Sequence, residues 1–213
     1  MGALGVSPQE LDAVVGVVST ALGEFVEVGR KLGSGLEGEA YAVEIGRDSF
    51  AVLKVGRLQG REYSDFAASA KISGVDVPGI AYVFGTWLDP ASDIFAILRE
   101  EVNTDWPTFS QEFGVEDLDG LAEDLDDATD QFADSCMRGS TPTFGSGVQH
   151  LRGVFGEVLE GLEVLAMEFE LCAGTDVHLT NLGWRDDGTV VVIDLGWTMP
   201  MSDEWVAKDR GSL

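Results

Sequence analysis

Oxygen-bearing side chains near the C-terminal end of the sequence stand at spacings that suit metal-assisted chemistry. Asp176 precedes Asn181 by five residues, and Asp194 follows the β-branched run 190–193 and precedes Leu195 and Gly196. An aspartate at the end of a buried strand can hold a cation, and an asparagine offers a carbonyl ligand. A loop aspartate can orient a hydroxyl group and accept its proton. The pattern therefore indicates metal-assisted chemistry on a hydroxyl group.

A glycine pattern in the first quarter of the sequence suits phosphate binding. Gly33, Gly35 and Gly38 fit G-x-G-x-x-G, in which glycines let backbone amides approach phosphate oxygens closely. A dinucleotide-binding fold needs a helix directly after the glycines, whereas residues 39–43 have the composition of a strand. The pattern favours a glycine-rich hairpin covering a triphosphate; with 27 glycines in the chain, a turn without a ligand is the alternative.

Lys54 interrupts the otherwise apolar segment 51–55. A lysine in an apolar strand is costly unless its ammonium group finds an anion. A nucleotide phosphate and a carboxylate from the following helix would be two such anions. Glu62 is the first acidic residue after Lys54 that could supply the carboxylate. The alternative places Lys54 on a solvent-facing edge strand.

The elements that must position these residues begin with a helix and a sheet. Ser7, Pro8 and Glu10 form a capping box that predicts a helix to about Leu22. Apolar residues then alternate as in strands, and residues 61–72 read as a helix between the third and fourth strands. The predicted strands are 26–28, 40–45, 50–55, 80–88 and 94–102. This order predicts an α+β lobe.

The second half of the sequence is predominantly helical. Residues 112–134 carry ten acidic residues and no basic one, with apolar residues at helical intervals. They predict one or two amphipathic helices with a solvated face, with a dedicated interaction surface as the alternative. Residues 148–171 read as a long core helix, and strands are predicted at 182–184 and 190–193.

Composition limits the possible partners and compartment. The formal net charge is −25 and the pI is about 4.1, which argues against nucleic acids and anionic membranes because both attract basic surfaces. No apolar run is long enough to span a bilayer, and no secretory leader is recognisable. We therefore expect a soluble, cytoplasmic protein. The two cysteines lack zinc-binding spacing and are expected to be reduced.

The motifs, in this order and on these elements, resemble the protein-kinase-like fold. The resemblance rests on the glycine-rich loop, Lys54, Glu62, the D-x-x-x-x-N of 176–181, and Asp194-Leu195-Gly196 in place of D-F-G. His178 makes the loop similar to the D-x-H-x-x-N of aminoglycoside-phosphotransferase-type kinases and of small kinase-like proteins from phages and bacterial effectors. The implied fold is two-lobed α+β: an N-terminal helix at 1–23, a five-stranded antiparallel N-lobe at 24–102, and a truncated helical C-lobe at 103–213.

The resemblance implies an ATP and Mg²⁺ site with assigned residues. The phosphates would be covered by Gly33, Gly35 and Gly38, and the α and β phosphates would be held by Lys54 paired to Glu62. Mg²⁺ would be bound by Asn181 and Asp194, and Asp176 would be the base. Adenine would be held by the backbone of Glu100, Glu101 and Val102. The sequence departs from the family in three places. Glu62 follows Lys54 by only eight residues, Gly174-Thr175 precedes Asp176, and no A-P-E triplet follows Gly196.

These expectations define one predicted function and two alternatives. The first is a minimal protein Ser/Thr kinase that acts on a protein substrate, such as a host protein. The second, suggested by His178, is a small-molecule phosphotransferase. The third is a catalytically inactive kinase-like protein whose acidic segment 112–134 binds and inhibits a basic partner. The joint presence of Lys54, Asp176, Asn181 and Asp194 favours an active enzyme.

Overall fold

A computed structural model of the chain describes residues 6–35, 38–47, 49–58, 65–172, 177–196 and 199–200. The described part is a mixed α+β structure with five α-helices and a five-stranded antiparallel sheet. The helices are α1 (Pro8–Leu22), α2 (Asp65–Ile72), α3 (Trp106–Phe113), α4 (Leu118–Met137) and α5 (Arg152–Phe169). The strands are β1 (Val26–Ser34), β2 (Glu39–Ile45), β3 (Ser49–Arg57), β4 (Val83–Asp89), β5 (Ile94–Glu100), β6 (Leu171–Cys172), β7 (Leu182–Trp184), β8 (Val190–Val192) and β9 (Met199–Pro200).

The chain divides into two compact units, which are described separately. Unit 1 comprises Met1–Glu62, Ser69–Val75 and Tyr82–Glu101. Unit 2 comprises Tyr63–Ala68, Asp76–Ala81 and Val102–Leu213. The first half of α2 thus belongs to unit 2 and the second half to unit 1. No helix among the described residues is long and apolar enough to cross a membrane.

Helix α1 confirms the predicted capping box and covers one face of the unit 1 sheet. Glu10 N–H donates to Ser7 Oγ at 3.3 Å, and Ser7 N–H donates to Glu10 Oε2 at 2.7 Å. Val18 of α1 is fully buried in a cluster with alternating residues of the strands, among them Leu53 and Val55. Burial of this apolar face, rather than helix propensity alone, holds α1 in place.

The unit 1 sheet has the strand order β1-β2-β3-β5-β4, with α2 inserted after the third strand as predicted. Several predicted boundaries are wrong: β1 extends to Ser34 rather than ending at Val28, and β5 ends at Glu100 rather than at Val102. The fourth strand begins at Val83 rather than at Ile80 because Ile80 forms a parallel bridge to Val192 within unit 2. Long-range pairing therefore overrides the local apolar pattern.

The acidic segment 112–134 comprises the last two residues of α3 and most of α4, so it forms mainly one helix. Helix α3 ends at Gly114, whose φ is 69°, and Asp117 caps α4 by accepting a hydrogen bond from Gly120 N–H. Leu125 and Phe132 of α4 are buried, which confirms an amphipathic helix. Most of its carboxylates are exposed.

The long core helix of unit 2 is shorter than predicted. A 3₁₀ turn occupies Ser146–Leu151 before α5 begins at Arg152. The helix ends at Phe169 because Glu170 has a left-handed φ of 56°, and the predicted last residue, Leu171, instead pairs with Pro200 in β6–β9. A Cβ atom on Gly161 of α5 would lie 1.9 Å from Pro78 O, so this glycine lets the segment before Ile80 pass directly against α5.

Candidate functional site

The three glycines of the motif lie where β1 ends and β2 begins in unit 1. Gly35 N–H donates to Gly38 O at 2.8 Å, and Gly33 pairs with Ala40. The element after Gly38 is strand β2, as predicted, and not the helix that a dinucleotide-binding loop requires. The local geometry therefore agrees with a glycine-rich hairpin.

The three glycines of this hairpin differ in their surroundings. A Cβ atom on Gly38 would lie 2.3 Å from Val55 O, so the approach of the hairpin to β3 requires a glycine there. A Cβ atom on Gly33 or Gly35 would meet nothing within 4 Å, and neither residue has a left-handed φ. Packing among the described residues therefore explains Gly38 but not Gly33 or Gly35. A ligand that approaches the backbone would explain both.

A polar cluster braces the base of this hairpin. Glu39 forms an ion pair with Lys31 and accepts a hydrogen bond from Tyr41 Oη at 2.5 Å. The hydrogen bond from Lys31 is the largest cause that lowers the pKa of Glu39, and the bond to Glu39 raises the pKa of Tyr41 to about 12. Lys31 lies opposite Tyr41 in the β1–β2 register, so the cluster joins the two strands just before the turn.

Lys54 lies in the centre of the sheet, which excludes the edge-strand alternative. It stands on β3 between Ala40 of β2 and Ile97 of β5. Because side chains alternate along a strand, buried Leu53 and Val55 face α1 and the half-buried Lys54 faces the opposite side.

The face of the sheet that carries Lys54 also carries Arg99. Val52, two residues before Lys54, pairs with Arg99 across β3 and β5. The Arg99 side chain is buried, and its Nη2 donates to Ser69 Oγ of α2 at 3.0 Å. The second half of α2 therefore covers part of this face within unit 1.

The segment predicted to hold adenine begins at the end of β5. Glu100 N–H donates to Tyr82 O at 2.9 Å, and Glu100 Oε1 accepts from Tyr82 N–H at 3.0 Å. The backbone amide of Glu100 is thus engaged by the residue just before β4. Glu101 is exposed and Val102 is half-buried, so adenine recognition by this segment would fall to the backbone of those two residues.

Unit 2 brings the two predicted magnesium ligands to one end of a hairpin. Strands β7 and β8 pair antiparallel, with Leu182 opposite Val192. Asn181 directly precedes β7, and Ile193 N–H donates to Asn181 O at 2.8 Å. The hairpin therefore places Asn181 beside the segment that leads into Asp194. Two residues that share a cation must lie close together, and the hairpin brings the backbone of Asn181 against the residue just before Asp194.

Two hydrogen bonds shape the turn that follows β8. Asp194 Oδ1 accepts from Gly196 N–H at 3.0 Å, and Leu195 N–H donates to Asp65 Oδ1 at 3.1 Å. Asp65 begins α2 and its side chain is fully buried. All four residues belong to unit 2. The buried carboxylate thus holds the backbone directly after Asp194.

Asp65 is a site residue that sequence reasoning missed. In the sequence it is the next acid after Glu62, and a first-turn helical aspartate is ordinarily exposed to solvent. Its burial depends on Leu195, which is distant along the chain, so no local signal identifies it. Glu62 and Asp176 lie outside the described residues, and their assignments stay predictions.

The loop before Asn181 has its own hydrogen bonds. Asn181 N–H donates to His178 O at 2.8 Å, and Trp106 Nε1 donates to Leu179 O at 3.1 Å. Thr180 Oγ1 and His178 Nδ1 lie 2.7 Å apart, and His178 is exposed. These contacts support a role for His178 in holding the loop.

Within the described ranges, no three His, Cys, Asp or Glu side chains come together as a metal-binding set. The predicted site does not need such a set. Mg²⁺ is commonly held by one or two carboxylates together with substrate phosphates and water, and Asn181 with Asp194 fits that donor chemistry.

The geometry described above defines a mixed α+β protein with a glycine-rich hairpin and an Asn–Asp pair beside a β-hairpin. The chain matches no protein-family model, and it has no significant match among curated proteins.

Proposed function

We propose that the chain is an ATP- and Mg²⁺-dependent phosphotransferase with a protein-kinase-like fold that phosphorylates a Ser or Thr hydroxyl of a protein. The observation that carries the proposal is the β7–β8 hairpin, which places Asn181 beside the segment leading into Asp194. The buried Asp65 and the amide of Gly196 then fix the turn in which Asp194 lies.

In this proposal Asn181 and Asp194 hold the cation. A carbonyl oxygen and a carboxylate are ligands that Mg²⁺ accepts, with triphosphate oxygens completing its coordination. Mg²⁺, when bound, neutralises charge that develops on the phosphates during transfer. The Asp65–Leu195 bond keeps the Asp194 backbone in one conformation, which reduces the ordering required when the cation binds.

The unit 1 residues serve the triphosphate. Gly33 and Gly35 are the two hairpin glycines that packing does not explain, and backbone amides there can approach phosphate oxygens without a side chain in the way. The Lys31–Glu39–Tyr41 cluster limits the conformations of the hairpin. Lys54 supplies the positive charge from the centre of the sheet.

The remaining roles are carried by residues outside the described ranges. Asp176 is proposed as the base that orients the acceptor hydroxyl and takes its proton. A protein acceptor is favoured because small-molecule kinases of this fold usually build their substrate pocket from additional C-terminal helices, and the described residues include no α-helix after α5. The small-molecule alternative keeps the same ATP residues and differs only in the acceptor.

An acidic binding protein without catalytic activity is the second candidate, and α4 favours it. Burial is the main cause that raises the pKa of Asp130, and the neighbouring Asp126, Asp127 and Asp134 raise it further. These residues form a dense negative surface on one helix. Such a surface would attract a basic partner.

One experiment separates the three candidates. The purified protein is incubated with γ-labelled ATP, Mg²⁺ and a cell lysate, and the Asp194→Ala variant is the matched control. Label on protein bands that is lost with the variant supports the proposed kinase. Label on small molecules supports the alternative acceptor, and no transfer under any condition supports the binding protein.

A further inference from the structure

The only two cysteines of the chain meet in the core of unit 2. Cys136 lies in the last turn of α4 and Cys172 ends β6, and both are buried. Cys172 Sγ donates to Ala133 O at 3.6 Å. Ala133 is three residues before Cys136 and lies on the same face of α4, so the Cys172 thiol packs against the turn that carries its counterpart.

The two thiols also differ in acidity. The influence of Cys172 lowers the pKa of the Cys136 thiol, and the influence of Cys136, together with burial, raises the pKa of the Cys172 thiol. The thiolate is the reactive form of cysteine. Cys136 is therefore the sulfur that reacts with an oxidant first, and Cys172 lies on the neighbouring strand, where it can react with the product.

We propose that Cys136 and Cys172 form a reversible disulfide when the protein meets hydrogen peroxide, joining the end of α4 to β6. Burial determines the class of oxidant. Cys136 is 0% exposed and Cys172 is 1% exposed, which excludes bulky disulfides, whereas peroxide is close to water in size. The proposal is independent of the phosphotransferase function.

The reaction balances in two steps. The Cys136 thiolate attacks one oxygen of hydrogen peroxide and breaks the O–O bond, which gives a sulfenic acid and hydroxide; the hydroxide takes up a proton to form water. The Cys172 sulfur then attacks the Cys136 sulfur, and the sulfenic oxygen leaves with the thiol proton as a second water. Two thiols are oxidised to one disulfide and one peroxide is reduced to two waters.

The disulfide would close a loop that contains the 3₁₀ turn and all of α5. Cross-linking restricts the unfolded chain and stabilises the folded state when native geometry is kept. Because the Cys172 thiol already packs against the turn of α4 that carries Cys136, little rearrangement is needed. The oxidised protein should therefore melt at a higher temperature than the reduced protein.

The test treats the purified full-length protein with hydrogen peroxide, removes the peroxide, unfolds the protein, blocks remaining thiols with iodoacetamide, and maps peptides without reduction. Peptide mapping is needed because the five methionines also take up oxygen. We expect one cross-linked peptide pair containing Cys136 and Cys172, loss of both alkylated peptides, and reversal by dithiothreitol. The melting temperature should rise by several degrees and return on reduction.

Single variants provide the control. Cys136→Ser and Cys172→Ser should each abolish the cross-link and the peroxide-dependent rise in melting temperature. If either variant fails to fold, the peptide map of the wild-type protein decides the test by itself. Two thiols that still alkylate fully after peroxide treatment and unfolding would overturn the proposal. So would cross-links found only between chains, or overoxidation of either cysteine without a disulfide.

Discussion

The buried carboxylate of Asp65 accepts a hydrogen bond from the backbone N–H of Leu195 at 3.1 Å, directly after the proposed metal ligand Asp194. Residues far apart in the sequence thereby fix one turn in unit 2. The Asp194 side chain accepts from Gly196 N–H in the same turn. This relationship supplies the first prediction.

Replacing Asp65 with alanine should destabilise unit 2 and weaken MgATP binding. The variant leaves the Leu195 N–H without its acceptor in a buried site, which costs about 1–3 kcal/mol. Asp65→Asn keeps an acceptor oxygen and should be milder in both respects. Urea denaturation and calorimetric titration of MgATP measure the two effects. Wild-type stability of Asp65→Ala would contradict the assigned hydrogen bond.

The hairpin glycines should separate into two classes. Gly38→Ala should lower the melting temperature, because the new Cβ would lie 2.3 Å from Val55 O. Gly33→Ala and Gly35→Ala should leave the melting temperature nearly unchanged, since a Cβ at either position meets nothing within 4 Å. Both should nevertheless weaken MgATP binding several-fold. Unchanged MgATP affinity in both Gly33→Ala and Gly35→Ala would contradict the proposed contact between these glycines and the phosphates.

Stability should depend on the ionisation of Glu10. Hydrogen bonds from the Ser7 backbone and side chain and from Arg57 lower the pKa of Glu10 from 4.5 to about 2. A carboxyl group with a lowered folded-state pKa contributes stability above its unfolded-state pKa, and that contribution is lost as the pH falls toward 2. The melting temperatures of wild type and Glu10→Gln should therefore differ at pH 5 and converge as the pH falls.

The control for this measurement is Glu112→Gln. Glu112 is an exposed glutamate on α3 with no hydrogen bond among the described residues. Its variant should follow the wild-type curve across the same pH range. A difference between Glu10→Gln and wild type that stays constant with pH would argue against ionic stabilisation by Glu10.

Local sequence patterns predicted much of the fold because local physics determines those elements. The capping box at Ser7 and Glu10 fixes the start of α1, and alternating apolar residues define the strands of unit 1. The Ile80–Val192 bridge and the β6–β9 pair were missed. Such pairings depend on segments distant in the sequence, which local periodicity does not report.

In the candidate site, too, the features that depend on local sequence were predicted and those that depend on tertiary packing were not. Residue types and spacing placed Asn181 before the predicted strand 182–184 and Asp194 after the predicted strand 190–193, and these strands pair as β7 and β8. The roles of both residues as cation ligands stay predictions. The same reasoning missed Asp65, whose burial is a tertiary property. The sequence motif gave Gly33, Gly35 and Gly38 the same role. Their tertiary surroundings, which the motif does not report, distinguish Gly38 from the other two.

The proposed site gives three polar residues different roles. Asp194 should bind metal, so Asp194→Ala should weaken both MgATP binding and turnover. Asn181→Ala should act in the same direction but less strongly, because a neutral carbonyl ligand contributes less than a carboxylate. Asp176→Ala should reduce turnover by roughly 10²- to 10⁴-fold, the range for loss of a positioned general base, while MgATP affinity stays within a few-fold of wild type.

The most direct measurement is calorimetric titration of MgATP into wild type, Asp194→Ala and Asp176→Ala, with phosphoryl transfer measured on the same preparations. We expect binding to wild type and to Asp176→Ala and a clear loss of affinity in Asp194→Ala, with transfer strongly reduced in both variants. Absence of MgATP binding to the folded wild-type protein, or equal affinity in wild type and Asp194→Ala, would contradict the phosphotransferase assignment.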